Sequence, residues 1–539
     1  MDVKYNLFGV MLDCSRNAVM RPEEVKRFID LLEKMGYNSL ELYTEDTYKI
    51  PDEPYFGYMR GGYTPEEIKD IDNYAKQHGI ELIPCIQTLA HMNCLVKLPN
   101  YNDIVDCSNI LLVGEEKTYE LIEKMFKMLA DTFTSRRVNI GMDEAHMLGL
   151  GKYLTKNGYR NRVDIFNEHL NRVCEIARKY GFEPHMWSDM YFRLACNGNY
   201  SCDGVKFNDS ITCGIPEDVS LVFWMYEKIS LESYDRMYAA HKKLNREIWY
   251  AGAAWGWNGF APANNHSLKA MMTAMQSVIK HGIKNVLITM WGDNGKECSF
   301  YSLLPVLYAV KQYSQGNYDM DSIKRGFKEM FNMEFDDFTL LDMPNAISRE
   351  RSDIPYTEYD NYYGPCKSLF YSDCFLGRMD KALESAPDFD YQYVCDKLES
   401  ASKRVGEFGY IFESLAALSS VLAIKKDLGV RSRKLYKARD KEGLKQLVED
   451  YQECISRVEI FYQKFKNLWM KENKPFGFEV HEIRIGGLLL RLKSCRQRII
   501  DFCNDKIHSI DELEETLLPH ANNSLNWNKY VDLVSPCDI

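Results

Sequence analysis

Hydrophobic and polar positions up to residue 300 repeat one pattern, a short apolar run followed by a longer amphipathic stretch. The apolar runs are rich in β-branched and aromatic residues, which is typical of buried strands. These predicted strands cover residues 6–13, 37–44, 80–88, 137–144, 182–189, 219–226, 247–255 and 285–293. The stretches between them have helical spacing, for example 22–35, 65–77, 116–133, 163–180 and 267–281.

Strands that alternate with crossover helices predict a parallel sheet. Helix starts are marked by Pro22 and Pro65, the latter after Thr64, with Glu67 placed to complete a capping box. Eight continuously apolar strands indicate closure into a (β/α)8 barrel over residues 1–320. The alternative is a doubly wound open sheet, which would carry a glycine-rich phosphate turn after its first strand, whereas residues 14–17 read Cys-Ser-Arg-Asn.

The pattern changes after Gly316, and helix formers dominate from about Tyr391 to His508. One amphipathic stripe with spacings of three and four consists of Leu444, Leu447, Tyr451, Ile455, Val458, Tyr462 and Phe465. Residues 321–539 are therefore predicted to form a mainly α-helical C-terminal domain. We expect it to serve packing and oligomerisation, with a homodimer as one candidate assembly.

The charge balance limits the classes of partner. Sixty-seven basic against 78 acidic residues give a formal charge of −11, without a concentrated basic face. Nucleic acid and anionic membranes both require such a face. No run approaches the roughly 20 apolar residues that span a bilayer. A neutral substrate such as a sugar suits this composition better, and we expect no nucleic-acid or membrane partner.

The cysteines and the N-terminus indicate a cytoplasmic protein. The first residues lack the apolar core and cleavage site of a signal peptide. The 16 cysteines are spread without a disulfide framework, and several, such as Cys14 and Cys85, lie in apolar runs. Buried free thiols are the expected state. Because no CxxC pair occurs with zinc spacing, we predict no metal site, and we expect no cofactor.

The ends of the predicted strands carry the candidate chemistry, since catalytic groups of such barrels lie at that face. Strand four runs into Asp143 and Glu144. Four other ends carry tryptophan, a residue whose apolar face stacks on sugar rings, namely Trp187, Trp224, Trp255 and Trp291. Consecutive strand residues point to opposite faces. Asp143 and Glu144 are therefore expected where the strand breaks into its loop, near the conformational freedom of Gly141.

Several of these pieces, in this order, resemble glycoside hydrolase family 20, the exo-β-N-acetylhexosaminidases. The matching motifs are Leu12-Asp13-Cys14-Ser15-Arg16, Ile83-Pro84 leading to His91, Gly141-Met142-Asp143-Glu144 and Trp291-Gly292-Asp293. Met142 departs from a family glycine and Asp293 from a family glutamate. The resemblance is to a compact, intracellular type without the N-terminal accessory domain.

This resemblance implies substrate-assisted retention through an oxazolinium intermediate. Glu144 would be the general acid and base, and Asp143 would hold the substrate acetamido group. The implied substrate-binding residues are Arg16, His91, Trp187, Trp224, Tyr226, Trp255, Trp291 and Asp293. The implied substrates are oligosaccharides or glycoconjugates that end in an N-acetylhexosamine, either GlcNAc or GalNAc.

Rival interpretations lack supporting motifs. Asp-Glu-Ala-His at 143–146 is also a helicase box, but no phosphate loop precedes it. A metal-dependent hydrolase would need a His-x-His after strand one, where Asp13-Cys14-Ser15 stands. A non-catalytic sugar-binding barrel would not need Glu144. A barrel glycosidase of another family is the remaining alternative.

Overall fold

The computed structural model describes residues 4–200, 204–346, 364–384, 389–519 and 529–538. Eight parallel strands close into a barrel in the order β1-β10-β9-β8-β7-β6-β3-β2, and β4 and β5 form a separate antiparallel pair. The strands are β1 (Leu7–Asp13), β2 (Ser39–Tyr43), β3 (Glu81–Cys85), β4 (Val105–Cys107), β5 (Ile110–Leu111), β6 (Arg137–Asn139), β7 (Glu183–Trp187), β8 (Ser220–Trp224), β9 (Ile248–Ala253) and β10 (Asn285–Met290). The (β/α)8 barrel is confirmed.

All eight predicted barrel strands are present, and each of them ends at or before the end of its predicted run. The largest difference is in β6, which ends at Asn139 although the apolar run continues to Glu144. Residues just past the carboxyl ends of the strands are also apolar or buried. The hydrophobic pattern alone therefore cannot distinguish them from strand residues.

Helices follow the barrel strands along the chain. In the first part of the chain they are Pro22–Met35, Pro65–Gln77, Glu116–Thr132, Lys152–Asn157, Arg162–Lys179, Asp189–Ala195, Asp209–Thr212, Leu231–Lys242 and Asn264–His281. The capping box is present: the Glu67 amide donates to Thr64 Oγ1 at 3.2 Å, and the Thr64 amide donates to Glu67 Oε2 at 2.8 Å. Each satisfies an amide that the helix itself leaves unpaired.

The interior of the barrel contains a buried contact between a histidine and a glutamate. His185 on β7 lies 2.8 Å from Glu41 on β2, and both side chains are at most 1 % exposed. The Trp249 ring on β9 stacks on the His185 ring with centroids 4.1 Å apart. The pair therefore links strands that are not neighbours in the sheet.

The β4–β5 hairpin was not predicted from the sequence. Its Asp106 carboxylate accepts hydrogen bonds from the amides of Gly149 and Tyr153, each at 2.8 Å. Since those amides follow Asp143 and Glu144 in the chain, the hairpin anchors the far end of the loop after β6.

Two compact units divide the chain. The first consists of Met1–Ala253, Lys269–Met290 and Ala309–Tyr318, and the second of Ala254–Leu268, Trp291–Tyr308 and Asp319–Ile539. The predicted boundary at residue 320 stays a prediction.

The second unit has a helical C-terminal region, as predicted. Its helices after residue 319 are Met320–Phe331, Phe335–Thr339, Pro365–Tyr371, Asp380–Glu384, Tyr391–Ser402, Gly409–Lys425, Leu428–Lys437, Lys441–Glu472, Phe478–Cys503, Asp511–Glu514 and Tyr530–Val534; Leu304–Ser314 precedes them. The amphipathic stripe is confirmed except at Tyr462, which is half-buried, whereas Phe461 is fully buried beside Phe465.

One stretch of the described residues, Gly406–Lys437, is long and apolar enough by composition to cross a membrane, with a mean hydropathy of 1.4 in its most apolar window. Of that window, 56 % is buried inside the protein. A core helix meets the same criterion, so the stretch is weak evidence for a span. It corrects the sequence-based expectation that no such run exists.

The free cysteines are mostly buried, as expected, including Cys14 and Cys85. Cys196 differs, because it is disulfide-bonded. The prediction of free thiols is wrong at that position.

Candidate active site

The loop after β6 carries Asp143 and Glu144 out of the sheet. Neighbouring β7 still pairs with the start of this loop: the Ile140 amide donates to His185 O at 2.9 Å, and the Trp187 amide donates to Gly141 O at 3.2 Å. The chain then turns, with φ of 71° at Gly141, 69° at Met142 and 50° at Glu144. The expectation that the pair lies where the strand breaks is confirmed.

Gly141 is required by close approach as well as by its positive φ. A Cβ at this position would lie 2.2 Å from Gln87 Oε1 and 2.8 Å from Ile86 O. The absence of a side chain lets the loop after β6 lie directly against the loop after β3. Gln87 Oε1 then accepts from the Met142 amide at 3.3 Å.

Asp143 is buried and held by two side chains. Gln87 Nε2 donates to its Oδ1 at 2.8 Å, and His91 Nε2 lies 3.0 Å from its Oδ2. Burial opposes ionisation, but the charge and hydrogen bond of His91 and the Gln87 amide outweigh it and lower the pKa of Asp143. The site therefore contains a carboxylate anion in a fixed orientation.

His91 is the cationic partner of Asp143. Burial favours its neutral form, yet the neighbouring Asp143 carboxylate prevails and raises the pKa of His91 to about 9. The residue has a φ of 60°, a left-handed conformation unusual for a non-glycine residue. The imidazole is thus protonated at neutral pH and donates to the carboxylate.

Glu144 is the accessible member of the pair, with its side chain 40 % exposed. One carboxylate oxygen lies 3.4 Å from Arg193 Nη2 and the other lies 3.8 Å from His91 Nε2. A partly exposed carboxyl beside a buried anion can exchange protons with a ligand, whereas Asp143 can only hold and orient one.

Arg16 and His91, both predicted site residues, meet around Glu45. Arg16 Nη2 lies 3.3 Å from Glu45 Oε1, and His91 Nδ1 lies 4.0 Å from the same oxygen. Burial raises the pKa of Glu45, although Arg16 and His91 oppose it. Tyr43 donates to Glu45 at 3.2 Å and accepts from Gln87 Nε2 at 3.0 Å, so one hydrogen-bonded network extends from Arg16 to Asp143.

The predicted aromatic residues of the first unit lie at the ends of β7 and β8. Trp187 is 1 % exposed. The Trp224 and Tyr226 rings stack with centroids 5.2 Å apart, and the centre of the Tyr200 ring lies 4.7 Å from that of Trp224. These rings form an aromatic row that is half-buried at Trp224 and Tyr226.

Trp255, Trp291 and Asp293 belong to the second unit. There Trp255 stacks on Trp257 with centroids 4.0 Å apart. Trp291 and Asp293 are half-buried and immediately follow β10. Their roles in substrate binding stay predictions.

Sequence reasoning missed five residues that the structure brings to Asp143, Glu144 and the aromatic row: Glu45, Gln87, Asp189, Arg193 and Tyr200. Three of them stand just past a strand end, the only signal available in the sequence. Asp189 is fully buried, and its Oδ2 accepts from the Glu144 amide at 3.2 Å.

His91, Asp143 and Glu144 each offer a ligand atom, all within 4.8 Å of one another, a spacing that would also suit a cation. A metal requires a neutral imidazole. Pairing with Asp143 keeps His91 protonated, which opposes metal binding by this cluster. The absence of a metal from the site stays a prediction.

Two family models match the chain. The one described as glycosyl hydrolase family 20, catalytic domain, matches residues 5–203, and the one described as Glycoside Hydrolase 20C C-terminal domain matches residues 336–531.

Curated relatives include Hexosaminidase D of Bos taurus, 24 % identical over 299 residues, which covers 51 % of this chain and 82 % of the relative. Hexosaminidase D of Homo sapiens is 24 % identical, covering 54 % of this chain and 61 % of the relative. A probable beta-hexosaminidase of Arthroderma benhamiae is 27 % identical, covering 34 % and 35 %. The chain thus spans most of the bovine relative but less than two thirds of the other two.

Among solved structures, a GH20 exo-β-N-acetylglucosaminidase from Vibrio harveyi in complex with N-acetylglucosamine is 18 % identical with a TM-score of 0.46, covering 61 % of this chain and 58 % of that chain. The family models match both the barrel sequence that carries Asp143 and Glu144 and the helical C-terminal region. The chain therefore belongs to glycoside hydrolase family 20 and is a glycoside hydrolase.

Proposed function

We propose that this hydrolase is an exo-acting, retaining β-N-acetylhexosaminidase that removes terminal GlcNAc or GalNAc by substrate-assisted catalysis. The observation that carries the proposal is a buried Asp143 carboxylate, fixed by Gln87 and His91, next to the accessible Glu144 carboxyl. The names of the curated relatives support the hexosaminidase activity.

In this mechanism the acetamido oxygen of the substrate attacks the anomeric carbon while the glycosidic carbon–oxygen bond breaks. Glu144 transfers its proton to the departing oxygen and is left as a carboxylate. It then takes a proton from the water that opens the oxazolinium ring. The same carboxyl therefore serves first as acid and then as base.

Asp143 has the properties required to orient the acetamido group. Its carboxylate accepts the acetamido N–H and stabilises the positive charge that develops on the new ring. Because Gln87 and His91 already fix the anion, little reorganisation accompanies the reaction, which is the basis of electrostatic catalysis.

The remaining assignments follow the family resemblance. Tyr226 would donate to the acetamido oxygen, with Trp187 and Trp224 beside that group. Arg16 would bind a hydroxyl of the sugar, while His91 orients Asp143. We also propose a cytoplasmic location, which the buried free thiols support.

The decisive experiment compares aryl β-glycosides of one phenol that differ only at C2. The N-acetylglucosaminide should be hydrolysed, and the glucoside should be inert because it lacks the internal nucleophile. A thiazoline analogue of the intermediate should inhibit strongly, and Asp143→Asn should weaken that inhibition. Comparable turnover of the glucoside together with an inert thiazoline would refute the mechanism. Including the C4 epimer would measure the preference between GlcNAc and GalNAc.

Glu144→Gln tests the acid role separately. We expect a loss of about 10²–10⁴ in turnover for poor leaving groups, the usual contribution of a positioned general acid. The loss should shrink for an activated phenol, which leaves without a proton. Equal losses on both substrates would remove Glu144 from that role.

A further inference from the structure

Arg193 is the basic residue that contacts the Glu144 carboxylate most closely among the described side chains. Its Nη2 lies 3.4 Å from Glu144 Oε1, and its own side chain is only 16 % exposed. Arg193 lies in the short helix Asp189–Ala195 that follows β7. The contact therefore connects Glu144 to an element outside its own loop.

Several contacts fix the Arg193 guanidinium. Nε donates to Asp189 Oδ2 at 2.8 Å, and Nη1 donates to Gly198 O at 3.1 Å. The guanidinium carbon also lies 5.9 Å from the centre of the Tyr200 ring. These three contacts restrict the guanidinium, so its Nη2 is held facing the Glu144 carboxylate.

Asp189 joins Arg193 to the backbone of Glu144. This carboxylate is fully buried, and its Oδ2 also accepts from the Glu144 amide at 3.2 Å. Its other oxygen is buried and makes no hydrogen bond to any described residue. Burial, reinforced by the nearby Asp143, raises the pKa of Asp189 to about 7, while Arg193 opposes the shift. A buried carboxyl with an unpaired oxygen lowers stability, and a functional role would explain why such a group is present here.

We propose that Arg193, anchored by Asp189, is a positioning residue for Glu144 that orients its carboxyl and stabilises the carboxylate left after proton transfer to the leaving oxygen. This inference rests on the proposed acid–base role of Glu144. The guanidinium gives up no proton itself. Arginine suits this task because its fork of donors stays charged and keeps a fixed geometry.

The charged groups around Glu144 determine the sign of the expected change. Arg193 and His91 attract the Glu144 carboxylate, while Asp143 and Asp189 repel it. His146, whose pKa burial and Arg193 lower, faces the same carboxyl. Removing Arg193 therefore takes away one attractive charge from the Glu144 carboxylate.

The test replaces Arg193 with methionine, which keeps an unbranched apolar stem but removes the guanidinium and its charge. For an aryl N-acetylglucosaminide with a poor leaving group, we expect kcat to fall about 10–100-fold, a part of the effect of a whole general acid. The alkaline limb of kcat/KM against pH should move up by about one pH unit. Arg193→Lys should retain the position of the limb but lose part of the rate.

Arg162→Met is the matched control. Arg162 supports the same loop through the backbone oxygens of Ala145 and His146, at 3.4 and 2.5 Å. Since its contacts among the described residues are with the loop backbone and not with the Glu144 carboxyl, its loss should leave the alkaline limb in place. Thermal unfolding of all variants checks that each is folded.

The outcomes separate this inference from the proposed function. Suppose that Glu144→Gln shows the expected dependence on the leaving group. Arg193 is then merely structural if Arg193→Met keeps the wild-type alkaline limb of kcat/KM, or if it loses activity equally on poor and activated phenols. If Glu144→Gln itself shows no such dependence, the proposed acid role fails irrespective of Arg193.

Discussion

Replacing Gly141 with alanine tests whether the close contact of two loops holds the Asp143 carboxylate in place. The new Cβ would lie 2.2 Å from Gln87 Oε1 and 2.8 Å from Ile86 O. The Ile86 oxygen is a backbone atom just past β3, whereas the Gln87 amide is the end of a flexible side chain, so the Gln87 side chain is the group expected to move. Gln87 is the residue that donates to Asp143 at 2.8 Å.

Two costs add up in this variant. Alanine in the left-handed region at φ 71° costs about 1–2 kcal/mol. Loss of the Gln87 hydrogen bond to the charged Asp143 costs about another 1.5–3 kcal/mol. We therefore expect the free energy of unfolding to fall by about 2.5–5 kcal/mol. Because a displacement near 1 Å can reduce a rate about 10²-fold, kcat should fall to a similar extent.

Gly79→Ala is the matched control, since Gly79 has a φ of 67° but its added Cβ meets nothing within 4 Å. Its free energy of unfolding should fall by only about 1–2 kcal/mol, and its activity should be unchanged. Urea unfolding and hydrolysis of an aryl N-acetylglucosaminide measure both quantities. In the double variant Gly141→Ala with Gln87→Ala, the losses should be less than additive, because both single changes disrupt the same Gln87 hydrogen bond to Asp143. Gly141→Ala behaving like Gly79→Ala would refute the reasoning.

Three further predictions concern other charged groups. Because the folded protein raises the pKa of His91 from 6.5 to about 9, its stabilising effect is complete below pH 6.5 and is lost as the pH rises through 9. The free energy of unfolding in urea should fall by about 3 kcal/mol over that window, and a His91→Asn variant with the same profile would contradict this. Glu41→Leu removes one member of the buried pair and should cost about 1–3 kcal/mol, because the His185 ring loses a buried hydrogen-bond partner; an unchanged free energy of unfolding would show that the pair is dispensable. EDTA should leave hydrolysis unchanged, and abolition with rescue by a divalent ion would show that His91, Asp143 and Glu144 bind a metal.

The barrel was predictable because each of its strands is buried and therefore continuously apolar. The same property made the predicted runs extend beyond the carboxyl ends of the observed strands. The run predicted at 182–189 includes Ser188 and Asp189, both buried, although β7 ends at Trp187. Burial is shared by the end of a strand and by the floor of a site, so hydrophobicity does not distinguish them.

Motif order proposes Asp143 and Glu144 as the catalytic pair, and that role stays a prediction. Their position beyond the end of β6 was predictable from the alternation of side chains along a strand. The residues that surround this pair were not predictable from the sequence. Gln87 reaches Asp143 only because Gly141 lets the two loops touch, and Glu45 approaches Arg16 only when the ends of β1 and β2 are aligned. Such contacts join residues far apart in the chain, and no local pattern encodes them.

Asp189 and Arg193 show most clearly what a sequence withholds. They are four residues apart on one helix, a spacing that in isolation indicates an exposed ion pair worth a few tenths of a kcal/mol. In the fold the aspartate is fully buried and the arginine nearly so, and the same pair contacts both the backbone and the carboxyl of Glu144. Removal of water makes each of these interactions stronger than it would be at a surface. The chemical meaning of the pair therefore comes from where β7 ends relative to the loop after β6.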